Sequence, residues 1–207
     1  AYLGSAEGAG VLRARLGDIT LQAPAWGEAV DVNGVRVSLH PAGHVLGAAQ
    51  ARLEQSGRVW VVSGDYFVSG ADGTNPTCTP FEPVRCDCFV TESTFGLPVY
   101  RWRPQAELFA EIDAWWAANA SAGRASLLLG YSFGKAQRLL AGLDAGIGPI
   151  VAHGAVEPLN AAYRAAGVAL PATQRIDVVP RHDPKRVLPL APPAAQGSAW
   201  ATRLGDA

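Results

Sequence analysis

The tightest constraint on this chain is a change of hydrophobic period near its middle. Before about residue 92, apolar residues alternate with polar ones or form short continuous runs. Val35, Val37 and Leu39 alternate with Arg36, Ser38 and His40, while Val59-Trp60-Val61-Val62 is apolar throughout. The first pattern marks a half-buried strand and the second a central one, apolar on both faces. From Pro104 onward the spacing is helical. Leu108, Phe109, Ile112, Trp115 and Trp116 line one side of a segment that Pro104 opens at its first position and Gly123 closes, with both tryptophans read as core. Strands over 126–129, 149–152 and 176–179 then alternate with helices over 135–143 and 155–166. Such alternation implies a parallel sheet with covering helices. The fold class is therefore α/β (α+β), with a mainly antiparallel part over 1–98 and an α/β part over 99–207.

Turn chemistry fills in the first part. A helix is expected over 5–16, closed by Gly17, and strands over 19–21 and 28–32. Asn33-Gly34 and Ser56-Gly57 are hairpin turns, because both positions of each must tolerate positive φ. They join strand 28–32 to 35–40, and strand 49–54 to 58–63. Residues 66–86 form a long loop, and Cys88-Phe89-Val90-Thr91 is a buried strand ending at Glu92. Residues 191–195 read as merely Pro/Ala-rich.

With 207 residues the chain can bury a core without disulfides. Cys78, Cys86 and Cys88 are odd in number and lack paired zinc-knuckle spacing, so they read as thiols in a reducing compartment. Net charge is −1 and the pI about 6.5, which gives no global basic signal for nucleic acid. No apolar run is long enough for a membrane span and no leader precedes the first strand. A soluble, cytoplasmic protein is expected. The composition holds no Met, and the sequence stops at Gly205-Asp206-Ala207 as a helix begins. An internal piece of a longer protein is expected.

Chemistry concentrates at three strand ends. His44 lies in His40-Pro41-Ala42-Gly43-His44-Val45-Leu46-Gly47, where flanking glycines let the backbone turn and approach a ligand. It is a candidate metal ligand or a hydrogen-bonded loop histidine. Asp65 follows Gly64 at the end of an apolar strand, where an unpaired buried carboxylate would be costly; a bridging cation, an N-cap or a loop ion pair would each resolve that cost. Glu92 ends the next strand. His40 reads as a supporting group. Gly130-Tyr131-Ser132-Phe133-Gly134-Lys135 ends a strand and opens a helix, so Ser132 and Lys135 either hold a phosphate or are simply exposed. Its spacing is not that of a Walker A loop. Arg101-Trp102-Arg103 pairs cations with a stacking surface, or is a solvated turn. His153 ends a strand of the second part, facing a cleft or serving structure.

Three ordered motifs, Ala42-Gly43-His44-Val45-Leu46-Gly47, Ser63-Gly64-Asp65-Tyr66 and Thr91-Glu92-Ser93-Thr94-Phe95-Gly96, resemble those of the β-CASP metallo-β-lactamase-fold nucleases. That group includes RNA 3′-end processing endonucleases and DNA crosslink-repair exonucleases. The wider runs Pro80–Arg85 and Phe95–Trp102 look most like the bacterial ligase-associated DNA exonucleases. The resemblance implies part of an αββα sandwich carrying an inserted α/β cap, incomplete at both ends. It implies that His44 holds one zinc, that Asp65 bridges two, and that a hydroxide between them attacks phosphorus. Glu92 would orient a histidine that protonates the leaving oxygen, unless it makes only a strand-end ion pair with Arg101 or Arg85. The turn containing Ser132 and Lys135 would contact a DNA backbone phosphate.

The substrate implied is DNA, with RNA as the alternative, and the partner an ATP-dependent DNA ligase. No membrane partner is expected. The family's H-x-H-x-D-H motif is missing, since the only histidines are His40, His44, His153 and His182. The segment alone is therefore expected to bind little zinc and to cleave nothing. The remaining alternative is a non-catalytic nucleic-acid-binding paralogue.

Overall fold

The computed structural model describes residues 1–68, 75–174 and 186–202. The strand expected over 176–179, His182 and the last residues of the chain lie outside them. The fold is mixed α/β, in two compact units, Ala1–Arg103 and Pro104–Ala207.

In the first unit, β1 (Tyr2–Leu3) pairs in parallel with β2 (Leu21–Gln22), and α1 (Ala9–Leu16) lies between them in sequence. The helix starts later than the sequence suggests, but it stops at Gly17, whose φ of 76° breaks the helical path. A five-stranded sheet follows, in the order β3 (Ala29–Val32), β4 (Val35–Pro41), β5 (Ala49–Gln55), β6 (Arg58–Val62), β7 (Cys88–Val90). The first four strands run antiparallel and β7 is parallel to β6. Both hairpin turns form as their residues require. Asn33 and Gly34 sit at φ 53° and 81°, Ser56 and Gly57 at 50° and 76°.

Register sets Val37, Leu53, Trp60 and Cys88 in one row, and Leu39, Ala51, Val62 and Val90 in the next. This face is closed at the β4 end, where Val37 and Leu39 are buried, and open at the other. Trp60, Val62 and Val90 are 47%, 39% and 44% exposed. The continuous apolar run at 59–62 therefore does not mark a strand enclosed on both sides, and β7 is not a buried strand. Only Val61 points into packed material. Hydrophobic pattern states which faces tolerate burial; what covers them is a tertiary matter.

The second unit begins with α2 (Gln105–Ser121), with Pro104 as its extended cap residue (φ −53°, ψ 131°) rather than its first helical residue. Then come, among the described residues, β8 (Leu128–Leu129), α3 (Lys135–Gly142), β9 (Ile150–Ala152), α4 (Glu157–Ala165), β10 (Leu188–Ala191), a 3-10 turn (Pro193–Ala195) and α5 (Ala199–Thr202). Among the described strands the sheet is parallel in the order β8-β10-β9, with β10 between the other two and Gln174 bridging in parallel to Val151 on the far side of β9.

No strand is legible from sequence at β10, because Pro189 sits inside it and proline argues against a central strand. The ladder shows why it is tolerated. Leu188 N–H donates to Pro149 O on the β9 side, so the missing N–H of Pro189 faces β8, where pairing starts only at Leu190. Leu188, Leu190, Ile150 and Ala152 pack with Leu140, Val156 and Trp116 into one core.

Candidate metal centre and its supports

β4 ends at Pro41 and the chain turns back to β5 through a loop pinned by two bonds, Ala42 N–H to Ala48 O and Ala48 N–H to Val45 O, each 2.9 Å. Gly43 and Gly47 both have positive φ, at 72° and 76°. A Cβ on Gly43 would lie 2.5 Å from Phe67 O and 2.7 Å from Phe81 N, and one on Gly47 would collide with the Gly8 backbone. Both glycines thus admit neighbouring segments of the chain, and their link to a ligand is indirect: they fix the loop that carries His44. Ser5 Oγ donates to Gly47 O at 2.8 Å and accepts Gly8 N–H at 3.1 Å. On the other side Asn75 Nδ2 donates to the His44 carbonyl at 2.9 Å, and Thr77 donates to Asn75 Oδ1 from both N–H and Oγ. The imidazole itself is left outward, its side chain 45% exposed.

Asp65 follows Gly64, whose φ of 56° turns the chain as it leaves β6. Ser63 N–H still donates to Val90 O at 2.9 Å, so the turn comes right at the end of the β6–β7 pairing. Asp65 Oδ2 lies 4.0 Å from His44 Nε2. Its side chain is 78% exposed, which corrects the expectation of a buried carboxylate. Burial therefore does not force a cation on Asp65, and the case for one rests on proximity to His44. Two donors about 2.0–2.2 Å from one zinc lie roughly 3.4 Å apart when tetrahedral. Two exposed side chains at 4.0 Å reach that with small rotations. The pair fits a cation as two of its donors. Among the described residues no cluster of three or more His, Cys, Asp or Glu stands ready to hold a metal.

Glu92 follows β7 and is held by its neighbours. Its carboxylate accepts the N–H of Tyr66 and of Thr94, both at 3.3 Å, and the Thr94 hydroxyl. The Thr94 hydroxyl, ahead of the two backbone amides and the nearby His44, holds this half-buried side chain's carboxyl below the usual glutamate range. Its bonds run to Tyr66 and Thr94, in place of the expected alternative of an ion pair with Arg101 or Arg85. Bonds made to the ionised form favour the folded state above the ordinary glutamate pKa, and this contribution disappears as pH falls through the lowered folded value. Thr94→Val should raise the Glu92 pKa toward the ordinary range, as read by NMR titration of its side-chain carboxyl. An unchanged value would show that the hydroxyl does not control the carboxylate.

His40 is a supporting group. Its Nε2 meets Ser38 Oγ at 3.1 Å and its Nδ1 meets Glu82 Oε1 at 3.0 Å, so both ring nitrogens are engaged. Gln50, buried beside it, donates to Pro41 O and Glu82 O and ties the loop around Glu82 to the sheet. Asn75, Thr94 and Gln50 escaped the sequence reading. Only Thr94 left a signal there, as a hydroxyl placed just after the strand-end carboxylate.

Arg101 and Trp102 lie in the first unit, both exposed, with Trp102 at 65%. Ser132 and Lys135 lie in the second. Gly134 has a φ of 77° and Lys135 points to solvent, but the amides of this turn are largely taken. Gly134 N–H donates to Gln137 Oε1, Lys135 N–H to Phe133 O and Ala136 N–H to Tyr131 O. The Lys135 ammonium and the Ser132 hydroxyl make no hydrogen bond or ion pair to another described residue. His153, at the end of β9, accepts Ala155 N–H on Nδ1 at 3.1 Å and meets the Trp200 ring edge-to-face at 5.0 Å.

A probable DNA ligase from Opitutus terrae is 29% identical to this chain over 169 residues, 81% of the chain and 16% of that protein. Endoribonuclease YSH1 of Candida albicans is 31% identical over 115 residues, 56% of the chain and 13% of that protein. The Saccharomyces cerevisiae endoribonuclease YSH1 gives 31% over 115 residues and 14% of its length. The chain thus spans 13% to 16% of the length of these relatives. No family model matches it.

Proposed function

We propose that this chain, which is related to the β-CASP metallo-β-lactamase-fold nucleases, contributes part of a zinc-dependent phosphodiesterase acting on nucleic acid. The observation that carries this reading is the convergence of His44, Asp65 and Glu92, from three separate strand ends, on one exposed rim of the first unit. His44 and Asp65 would hold the metal, and zinc bound there supplies Lewis acidity and a nucleophile at neutral pH. The Asn75 and Ser5 bonds hold the His44 loop in place. Glu92 stays ionised and acts as an acceptor that orients a proton donor. Lys135 and Ser132, with Arg101 and Trp102, would contact the nucleic acid.

The substrate favoured is DNA, cut from an end during repair alongside an ATP-dependent ligase. The likeness of most of the chain to a protein named as a probable DNA ligase supports it. The likeness to endoribonuclease YSH1 supports RNA as the second reading. The metal donors beyond His44 and Asp65 would come from an H-x-H-x-D-H segment outside these 207 residues. The described helices include none long and apolar enough to cross a membrane, and the three cysteines are free thiols. A reducing cytoplasmic setting accords with those thiols.

The test is side-by-side turnover of DNA and RNA oligomers by the intact protein, with zinc and with chelator, and zinc analysis of the 207-residue chain alone. We expect zinc-dependent cleavage of DNA by the intact protein and less than one tightly bound zinc per isolated chain. Stoichiometric tight zinc on the isolated chain would overturn the shared-site reading. Zinc-independent cleavage would overturn the mechanism.

A further inference from the structure

Thr94, which bonds to Glu92, is followed by eight residues, 95–102, that carry a run of uncovered apolar side chains. Phe95 is 55% exposed, Leu97 64%, Val99 73%, Tyr100 46% and Trp102 65%. Exposed apolar side chains scattered singly need no explanation, but a contiguous patch of this kind marks an interaction surface. The aromatic rings are also organised. Phe95 meets Tyr100 at 5.0 Å and 90°, and Trp102 at 5.0 Å and 77°. Edge-to-face contacts of this sort hold the rings steeply inclined to one another, and each of the three residues remains about half exposed or more.

Charge selects the occupant. The stretch 93–104 contains Arg101 and Arg103 and no acidic residue. Arg101 is exposed, and among the described residues no acidic side chain lies within ion-pair distance of it. An open aromatic cluster with a cation in its midst suits a polyanion that also presents π-faces. Unpaired nucleotides offer both, whereas a duplex hides its base faces within the stack.

We infer that Phe95, Tyr100 and Trp102, with Arg101, form a stacking platform for unpaired bases beside the Glu92 rim, so that this site takes single-stranded nucleic acid or a frayed end. The inference rests on the nucleic-acid reading above and narrows it to the unpaired form. Sequence selectivity at the platform is low, because every base has a stacking face.

The test is fluorescence anisotropy of labelled oligothymidylate, oligouridylate and a blunt DNA duplex, each about 15 nucleotides long, with the full chain in chelator so that nothing is cut. The single strands should bind more tightly than the duplex. Trp102→Ala and Phe95→Ala should each weaken single-strand binding about tenfold with the salt slope unchanged, and Trp102→Tyr should restore most of it. Arg101→Ala should lower the salt slope by about one. The tighter of the two homopolymers identifies the sugar. Single-strand binding unaltered in Trp102→Ala and Phe95→Ala would overturn the platform while leaving the nucleic-acid reading in place. Failure of the parent chain to bind any of the three would remove that reading as well. A dimer by sedimentation that Trp102→Ala dissociates without changing oligonucleotide binding would assign the patch to self-association and overturn the inference.

Discussion

Asp65→Asn in the intact protein should lower zinc-dependent turnover by at least about 100-fold, since changes to groups merely supporting a ligand already cost 10–100-fold. The substitution is nearly isosteric and removes one negative charge. Asp65 is 78% exposed on its side chain, so the fold has little stake in it. Exposed substitutions away from caps and networks usually shift stability by less than about 0.5 kcal/mol. The thermal midpoint of the chain should therefore be unchanged while metal content and rate both fall. That split separates a ligand from a structural carboxylate. Equal rates for Asp65→Asn and the parent would show that the 4.0 Å approach to His44 serves only a local ion pair.

The largest effect on stability should come from Trp116→Ala, at about 3–5 kcal/mol of the second unit's stability. Trp116 is fully buried in the core of that unit, and its indole N–H donates to Arg186 O at 3.2 Å. Truncation leaves a large cavity and an unpaired carbonyl together. Its neighbour Trp115 is 41% exposed, and Trp115→Ala should cost about 1 kcal/mol or less. Chemical denaturation of the two variants beside the parent measures the contrast. Comparable losses in both would contradict the packing described for α2.

The same pair of residues shows what sequence can and cannot convey. Helical spacing places an apolar stripe, and the reading of α2 follows from it, but adjacent residues lie about 100° apart around a helix, and of the two tryptophans read as core only Trp116 is buried. The hairpins were legible because Asn33-Gly34 and Ser56-Gly57 satisfy a purely local demand for positive φ. His44, Asp65 and Glu92 were legible because each sits where a strand stops. The supports were not. Asn75 reaches His44 from a distant part of the chain, and nothing in local sequence announces a contact between such segments. Likewise the exposure of Asp65 follows from what lies around the end of β6, which an apolar run cannot specify. β10 was hidden by Pro189, whose tolerance depends on the stagger of a neighbouring strand.

That hidden strand also sets an order of events. β3 to β6 pair with their immediate successors, so most of the first unit's large sheet assembles from local contacts as the chain emerges from the ribosome. Among the described residues β8 and β9 do not pair with each other; both pair with β10, and β9 takes a further parallel bridge from Gln174 to Val151. Until residues 188–191 are synthesised, the edges of β8 and β9 that face β10 stay bare, and the second unit's core lacks Leu188 and Leu190. A nascent chain arrested before Leu188 should accordingly be the form most in need of chaperones.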